Sequence, residues 1–387
     1  MRASVLSMAV QQALEIAKAL KLAECIQCGM CTGSCPVSAK VPLNVRRIVR
    51  QVGLFYELPL EPVEALWACT TCGTCELRCP KELKPVEAVI SLRSVLVEEG
   101  KIARSIAEAL ESVFTHGNPW GRGRAKRLDW AEGLSFKLKH ASEGAEWLYF
   151  VGCTPAYDTR AQEVARALAE LLNIAGLDFA ILGKDESCCG NEIYSMGEKG
   201  LFEELRDGNI AKFEELGIER IVTSCPHGFN AFRNLYEGRV ANVLHHSQLL
   251  SALIDEGRLR PAKELGLKVV YHDPCFLGKR NNVFDEPRHV IEAIPGVELL
   301  EFDRNRSRSL CCEGGGGRMW VDIPGEKLAE RRVREAAELG ADVIAVACPF
   351  CLITLEDAVK TAGLEEKLKV MDIAELLLAS IKGPSQA

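Results

Sequence analysis

The chain has 387 residues, 48% of them hydrophobic and 26% charged, with a formal net charge of −7. That length suggests two or three domains with core to spare, and the acidic balance implies no domain-wide basic surface, so no nucleic-acid partner is expected. The 17 cysteines are the anomaly. Disulfide frameworks belong to small secreted chains, and most of these cysteines cluster with two residues between them, so they read as thiolate metal ligands in a reducing, cytoplasmic and anaerobic setting.

The opening stretch MRASVLSMAVQQALEIAKALKLAEC carries Glu15, Lys18 and Lys21 at helical spacing. It has no apolar signal-peptide core and predicts an amphipathic helix. No apolar run is long enough to span a membrane, so any membrane association is expected to be peripheral, at the inner face, through a partner.

Two cysteine runs follow. CIQCGMCTGSCP holds Cys25, Cys28, Cys31 and Cys35; CTTCGTCELRCP holds Cys69, Cys72, Cys75 and Cys79. Both have the C-x2-C-x2-C-x3-C-P spacing of bacterial ferredoxins, in which three close cysteines grip one 4Fe-4S cubane and the fourth reaches the other. The expected ligation is crossed: Cys25, Cys28, Cys31 and Cys79 hold one cluster, and Cys69, Cys72, Cys75 and Cys35 the second. Zinc sites, usually built from two C-x2-C pairs, fit these runs poorly. VPLNVRRIVRQVGLFYEL and KPVEAVISLRSVLVEEG read as helices, the second with Gly100 just past its end. Residues 1–100 are therefore expected to form a helical ferredoxin-like domain with two 4Fe-4S clusters.

Residues 101–145, containing HGNPWGRGRAKRLDWAEGL, read as a linker. In the simplest reading it is a solvated connector whose Trp120 and Trp130 pack on neighbouring domains. Alternatively, the basic run 122–127 docks an acidic partner.

From Trp147 the chain repeats itself. WLYFVGCTPAYD matches VVYHDPCFLGKR, ESCCGNEI matches SLCCEGGG, and ELGIERIVTSCPHG matches ELGADVIAVACPFC. Strands alternating with helices predict a parallel sheet in each half, 146–265 and 266–387. Every cysteine then falls at the carboxyl end of a strand or in the loop after it, where open α/β sheets bind ligands. The second half offers Cys275, Cys311, Cys312, Cys348 and Cys351, one thiolate more than a cubane needs. The first offers Cys153, Cys188, Cys189 and Cys225, with Gly228 standing where the fifth cysteine should be and His227 beside it as a further candidate ligand. His245 and His246 read as exposed residues at a helix start. Residues 304–308 form a basic loop that is either solvated or offsets the negative charge of a cluster.

HDPCFLGKR, SLCCEGGGGRMW and ACPFCLITLEDAVK resemble the cysteine-rich CCG domain of heterodisulfide reductases, which also occurs in the iron–sulfur subunits of glycolate-, lactate- and glycerol-3-phosphate-oxidising enzymes. The whole chain is similar to the fused arrangement found among the heterodisulfide reductases and their relatives: a helical ferredoxin module, then two CCG domains. NPWG in the linker is similar too. The resemblance implies a non-cubane 4Fe-4S cluster at the complete second set, with Cys311 and Cys312 as ligands and candidate substrate site. Gly314, Gly315, Gly316 and Gly317 would let main-chain N–H groups approach sulfur. Glu313 departs from the family's CCG glycine, either altering the loop or placing a carboxylate near the cluster. A vicinal disulfide at Cys311–Cys312 is the alternative there. A phosphate-cradling loop is excluded because no Gly-Lys-Ser/Thr follows the glycines. The four thiolates of the first half leave open a cubane, a smaller iron–sulfur centre, zinc, or a non-cubane cluster with one open iron.

Two functions follow. The first is an iron–sulfur oxidoreductase subunit carrying electrons between a flavoprotein partner and a second redox carrier or membrane-anchored subunit. No flavin or nucleotide fingerprint is present in the sequence. The second is a catalytic heterodisulfide, or thiol–disulfide, reductase. That scheme is taken in the family to use two complete cysteine sets, so Gly228 weighs against it.

Overall fold

The computed structural model describes residues 8–240 and 242–382. The part of the expected N-terminal helix before Met8 lies outside them. The chain forms two compact units. One comprises Met1–Ala107 with Glu192–Lys199 and Gly315–Gly325; the other comprises Glu108–Asn191, Gly200–Gly314 and Glu326–Ala387.

The first unit contains no strand among its described residues. Met8–Ala19 is helical and buries Ala13 and Ala17. The helix expected between the cysteine runs begins only at Val45, where the Asn44 side chain accepts the Arg47 N–H. It passes into a wider turn at Gln51–Phe55 and stops at Tyr56, whose φ is 53°. Pro85–Glu98 is the longest helix of this unit among the described residues. Pro85 opens it, where a missing N–H costs nothing. Val86, Val89, Ile90, Leu92 and Leu96 fill the core with little exposed face, as a central helix should.

The second unit holds two parallel sheets. The first sheet consists of β1 (Lys139–His140), β2 (Trp147–Tyr149), β3 (Phe179–Ile181), β4 (Arg220–Thr223) and β5 (Asn242–His245). The second consists of β6 (Lys268–Tyr271), β7 (Glu298–Leu300), β8 (Val343–Val346) and β9 (Lys369–Asp372). The orders are β1-β3-β2-β4-β5 and β7-β6-β8-β9. Apart from edge strand β1 they are the same topology, which is the duplication seen in the sequence. Each sheet ends in a further strand after its Cys-Pro strand, β5 and β9.

The central strands are largely apolar, as two-sided burial demands: all four residues of β8 are buried, and β4 and β6 expose only their first residues, Arg220 and Lys268. One hydrophobic cluster runs through both halves, from Trp130, Tyr149 and Leu168 to Val269, Val343 and Leu377. The helices Thr159–Ile174 and Ile373–Lys382 pack together across it. Arg160 seals that contact with a bidentate bond to Glu375, 2.7 and 3.0 Å.

Residues 101–145 are structured. They supply the helix Arg104–His116, the turn Arg124–Ala131 and β1. Trp130 is 1% exposed in the shared core, and Trp120 meets Phe350 edge-on at 6.3 Å. Arg127 is no free docking charge. It is buried against Glu186 at 2.5 Å. No helix among the described residues is long and apolar enough to cross a membrane.

Candidate metal centres

All the cysteines are free thiols, Cys311 and Cys312 included, so no vicinal disulfide forms. In the first unit each ferredoxin run turns through a left-handed glycine, Gly29 at φ 81° and Gly73 at φ 77°, into a single helical turn. Cys25, Cys28, Cys31 and Cys79 line one cavity. Cys35 lies instead with the other run, close enough to act electrostatically on Cys69 and Cys75. Cys28 is exposed, whereas Cys72 and Cys75 are buried. Burial pushes the Cys69 thiol up to about 12, against the pull of the Arg93 guanidinium. A thiol this basic ionises only when a metal replaces the proton, so the Cys69 site suits a soft cation rather than free thiolate.

Arg93 is fully buried and donates to the carbonyls of Leu66 (2.8 Å), Cys69 (2.6 Å), Ser195 (2.7 Å) and Gly316 (3.0 Å). It thereby joins the second ferredoxin loop to the two segments that follow the paired cysteines. Gly316 explains part of the glycine run. Its φ is 67°, and a Cβ there would sit 2.7 Å from the Cys69 carbonyl oxygen. Gly317 donates to Glu192 at 2.9 Å. Sequence reasoning missed Arg93, because nothing in a helical pattern marks a buried cation.

In the second half the five thiols are all buried. Cys275 follows β6, the pair Cys311–Cys312 follows β7, Cys348 follows β8 and Cys351 lies on the helix Pro349–Thr361. The Cys312 and Cys351 sulfurs are 3.3 Å apart. Hydrogen bonds from Cys311 and Cys351 hold the Cys312 thiol well below the usual range. Burial would raise Cys348, but hydrogen bonds from Cys351 and from His227 bring it down to about 5. Cys351 shifts the opposite way and is raised. Thiols that share protons so closely are a soft, multidentate donor set, which fits an iron–sulfur group.

The Glu313 N–H reaches sulfur in this loop, 3.3 Å from Cys311. Glu313 has φ 68°, which accounts for the family's glycine at this position. Its carboxylate accepts the Leu328 N–H at the start of the helix Leu328–Glu338, so it caps that helix. Gly314 is packed close: a Cβ would lie 3.2 Å from that of Phe350. Within residues 304–308, Arg304 pairs with Glu335 and Arg306 with Asp285.

In the first half Cys153, Cys188 and Cys189 come together. Cys153 is raised chiefly by its hydrogen bond with Cys188, and Arg127 reaches Cys153 at 3.9 Å. Gly190 donates its N–H to Cys188 at 3.4 Å, the counterpart of Glu313. Glu186 holds the loop by accepting from Val151 (3.0 Å), Gly152 (2.8 Å) and Arg127. Cys225 is raised by burial and then by Cys348 of the other half. His227 also faces that half. It stacks near Phe276 (4.3 Å) and Phe350 (4.6 Å), and Asn191 positions it at 3.2 Å. The two cysteine sets therefore meet along Cys225, His227 and Cys348. A Cβ on Gly228 would make ordinary contact with Thr223 Oγ1, at 3.5 Å.

Two sequence expectations need correction or addition. His245 and His246 do begin a helix, His246–Asp255, but both are 0% exposed. His245 is held by Ser247 (2.8 Å) and the Ser224 carbonyl (3.3 Å), and His246 by Asp372 (2.9 Å). Parallel pairing of β5 with β4 carries them inside, a long-range effect invisible to local polarity. The addition is His272, 1% exposed, whose ring nitrogen lies within 4.8 Å of the Cys312 and Cys351 sulfurs.

Residues 147–233 and 269–356 match the cysteine-rich domain family CCG, and residues 21–83 match a 4Fe-4S dicluster domain. The probable iron-sulfur-binding oxidoreductase FadF of Bacillus subtilis is 40% identical over 331 residues, 83% of this chain and 47% of that protein. The EtfAB:quinone oxidoreductase of Syntrophomonas wolfei is 31% identical over 92% of this chain and 58% of its own length. A subunit of the dihydromethanophenazine:CoB--CoM heterodisulfide reductase of Methanosarcina barkeri is 31% identical over 94% of both chains. The chain thus spans about half the length of the first two and nearly all of the third.

Proposed function

Because the chain belongs to the CCG-domain iron–sulfur oxidoreductases, the family that includes the heterodisulfide reductase subunit of Methanosarcina, we propose that it is the electron-relay subunit of a redox complex. It would pass electrons between a flavoprotein partner and a second carrier, soluble or membrane-anchored. One relative is named an EtfAB:quinone oxidoreductase and another a probable membrane-anchored ferredoxin, which supports a flavoprotein on one side and a quinone-linked carrier on the other.

The observation that carries this reading is the pair of interlocked thiol quartets. Cys79 of the second run sits with Cys25, Cys28 and Cys31, and Cys35 of the first sits with Cys69 and Cys75. Exchanging one ligand each keeps two cubanes adjacent, as a relay requires. The clusters supply one-electron steps. The protein orients them, and Arg93 and the N–H groups of Glu313 and Gly190 favour added negative charge nearby. The five thiols of the second half would hold a non-cubane 4Fe-4S cluster. The four of the first half would hold a smaller centre or zinc.

A second reading, disulfide reduction, draws support from the meeting of the two cysteine sets at Cys225, His227 and Cys348. It needs a working centre in each half, and Gly228 removes one thiolate from the first.

Iron, sulfide and zinc per chain after anaerobic purification, with EPR on the same sample, test both. About 12 irons are expected for two cubanes and one non-cubane cluster. About 16 would move disulfide reduction ahead, and about 8 would overturn the assignment of a cluster to the second half.

A further inference from the structure

His272 follows β6 directly, and its N–H donates to the Ala345 carbonyl of β8 at 2.9 Å. That bond fixes the residue at the carboxyl edge of the sheet, among the thiols. Its ring nitrogen and the sulfurs of Cys312 and Cys351 all lie within 4.8 Å of one another. Nδ1 of the ring is buried and has no hydrogen-bond partner.

The duplication provides an internal control. In the first half the matching residue is Phe150, whose N–H makes the same bond, to Val222 at 2.9 Å. Its ring packs edge-on against Phe232 at 4.8 Å and Phe213 at 6.5 Å. A hydrocarbon therefore serves this position in the fold. Placing an imidazole there instead buries a polar nitrogen, which is costly unless the nitrogen has a partner. The half with Phe150 has four thiols; the half with His272 has five. His227, the other histidine in the neighbourhood, already has Asn191 on its Nδ1 and acts on Cys348.

Resting on the reading of the second half as a cluster site, the geometry points to His272 as a further iron ligand there, supplying an imidazole nitrogen beside Cys312 and Cys351. Imidazole suits iron, and a neutral nitrogen donor among anionic thiolates raises a cluster's potential, as histidine ligation does in Rieske centres. His272 would then give the second-half cluster a potential above that of an all-thiolate site.

The test uses the full chain, purified anaerobically with 15N-labelled histidine, and reads iron content and pulsed-EPR nitrogen couplings together. Expected are about 12 irons and a coupling of directly bonded size. That coupling is lost in His272→Ala, restored there by added imidazole, and kept in His227→Ala. A third cluster signal without a bonded histidine nitrogen overturns the inference, as does a coupling that survives His272→Ala. The wild-type spectrum decides the first point even if the variant fails to fold. About 8 irons with no third signal is a different failure, that of the cluster reading itself.

Discussion

Single buried charges do much of the organising. Arg93 satisfies four carbonyls from three chain segments and lies over the Trp67 ring at 4.8 Å. Arg93→Met removes this donor from all four carbonyls, and among the described residues only that of Leu66 keeps a backbone partner, the Cys69 N–H at 3.3 Å. The expected loss is about 3 kcal/mol or more, read as a lower denaturation midpoint. The variant also removes a positive charge near Cys69, so the midpoint potential of the cluster proposed for that quartet should fall in a redox titration. An unchanged potential would separate a structural role from an electrostatic one. His245 gives a pH prediction. Burial, and then His246, holds its pKa well below 6.5. The unfolded chain takes up that proton near 6.5 and the folded chain does not. Stability from this residue is therefore full above pH 6.5 and declines as pH falls, by about 1.4 kcal/mol per unit. His245→Asn, which keeps a capping side chain, should flatten this acid limb in denaturation midpoints measured at pH 7.5 and about 5.5.

At the scale of elements, the loops after the paired cysteines are the working parts. In the second half, one residue on from the pair, Glu313 offers its N–H to Cys311 and its carboxylate to the helix Leu328–Glu338. A glycine would take the positive φ more easily but could not cap. Glu313→Ala loses the cap and keeps the strain, so a loss of about 1–2 kcal/mol is expected. Glu313→Gly should lie between that variant and wild type. If Glu313→Ala matched wild type in thermal denaturation, the cap would be idle. Three residues further on, Gly316 touches the Cys69 backbone, closer than any side chain allows.

Across the whole molecule, duplication followed by divergence separates the two cysteine sets. Both share a topology and a core, yet the first half has Gly228 and Phe150 where the second has Cys351 and His272. Gly228 is surrounded loosely enough for a side chain. On the proposed cluster assignment, Gly228→Cys should therefore fold, complete the first set and raise iron from about 12 to about 16 per chain. Iron unchanged in a folded variant would mean that more than the missing thiolate limits that site.

The sequence by itself determined the helical ferredoxin-like module and the two parallel-sheet domains, because each rests on local spacing or on a repeat. It could not show that His245 and His246 are buried, since β4 and β5 pair across about twenty residues of intervening chain. Nor could it show Arg93 bridging three segments, Arg127 and Glu186 paired in the core, or His272 unpartnered beside two thiols. Those are buried polar groups whose neighbours lie far away in the chain. Their positions follow no helical or strand period, so only the closed tertiary structure decides them.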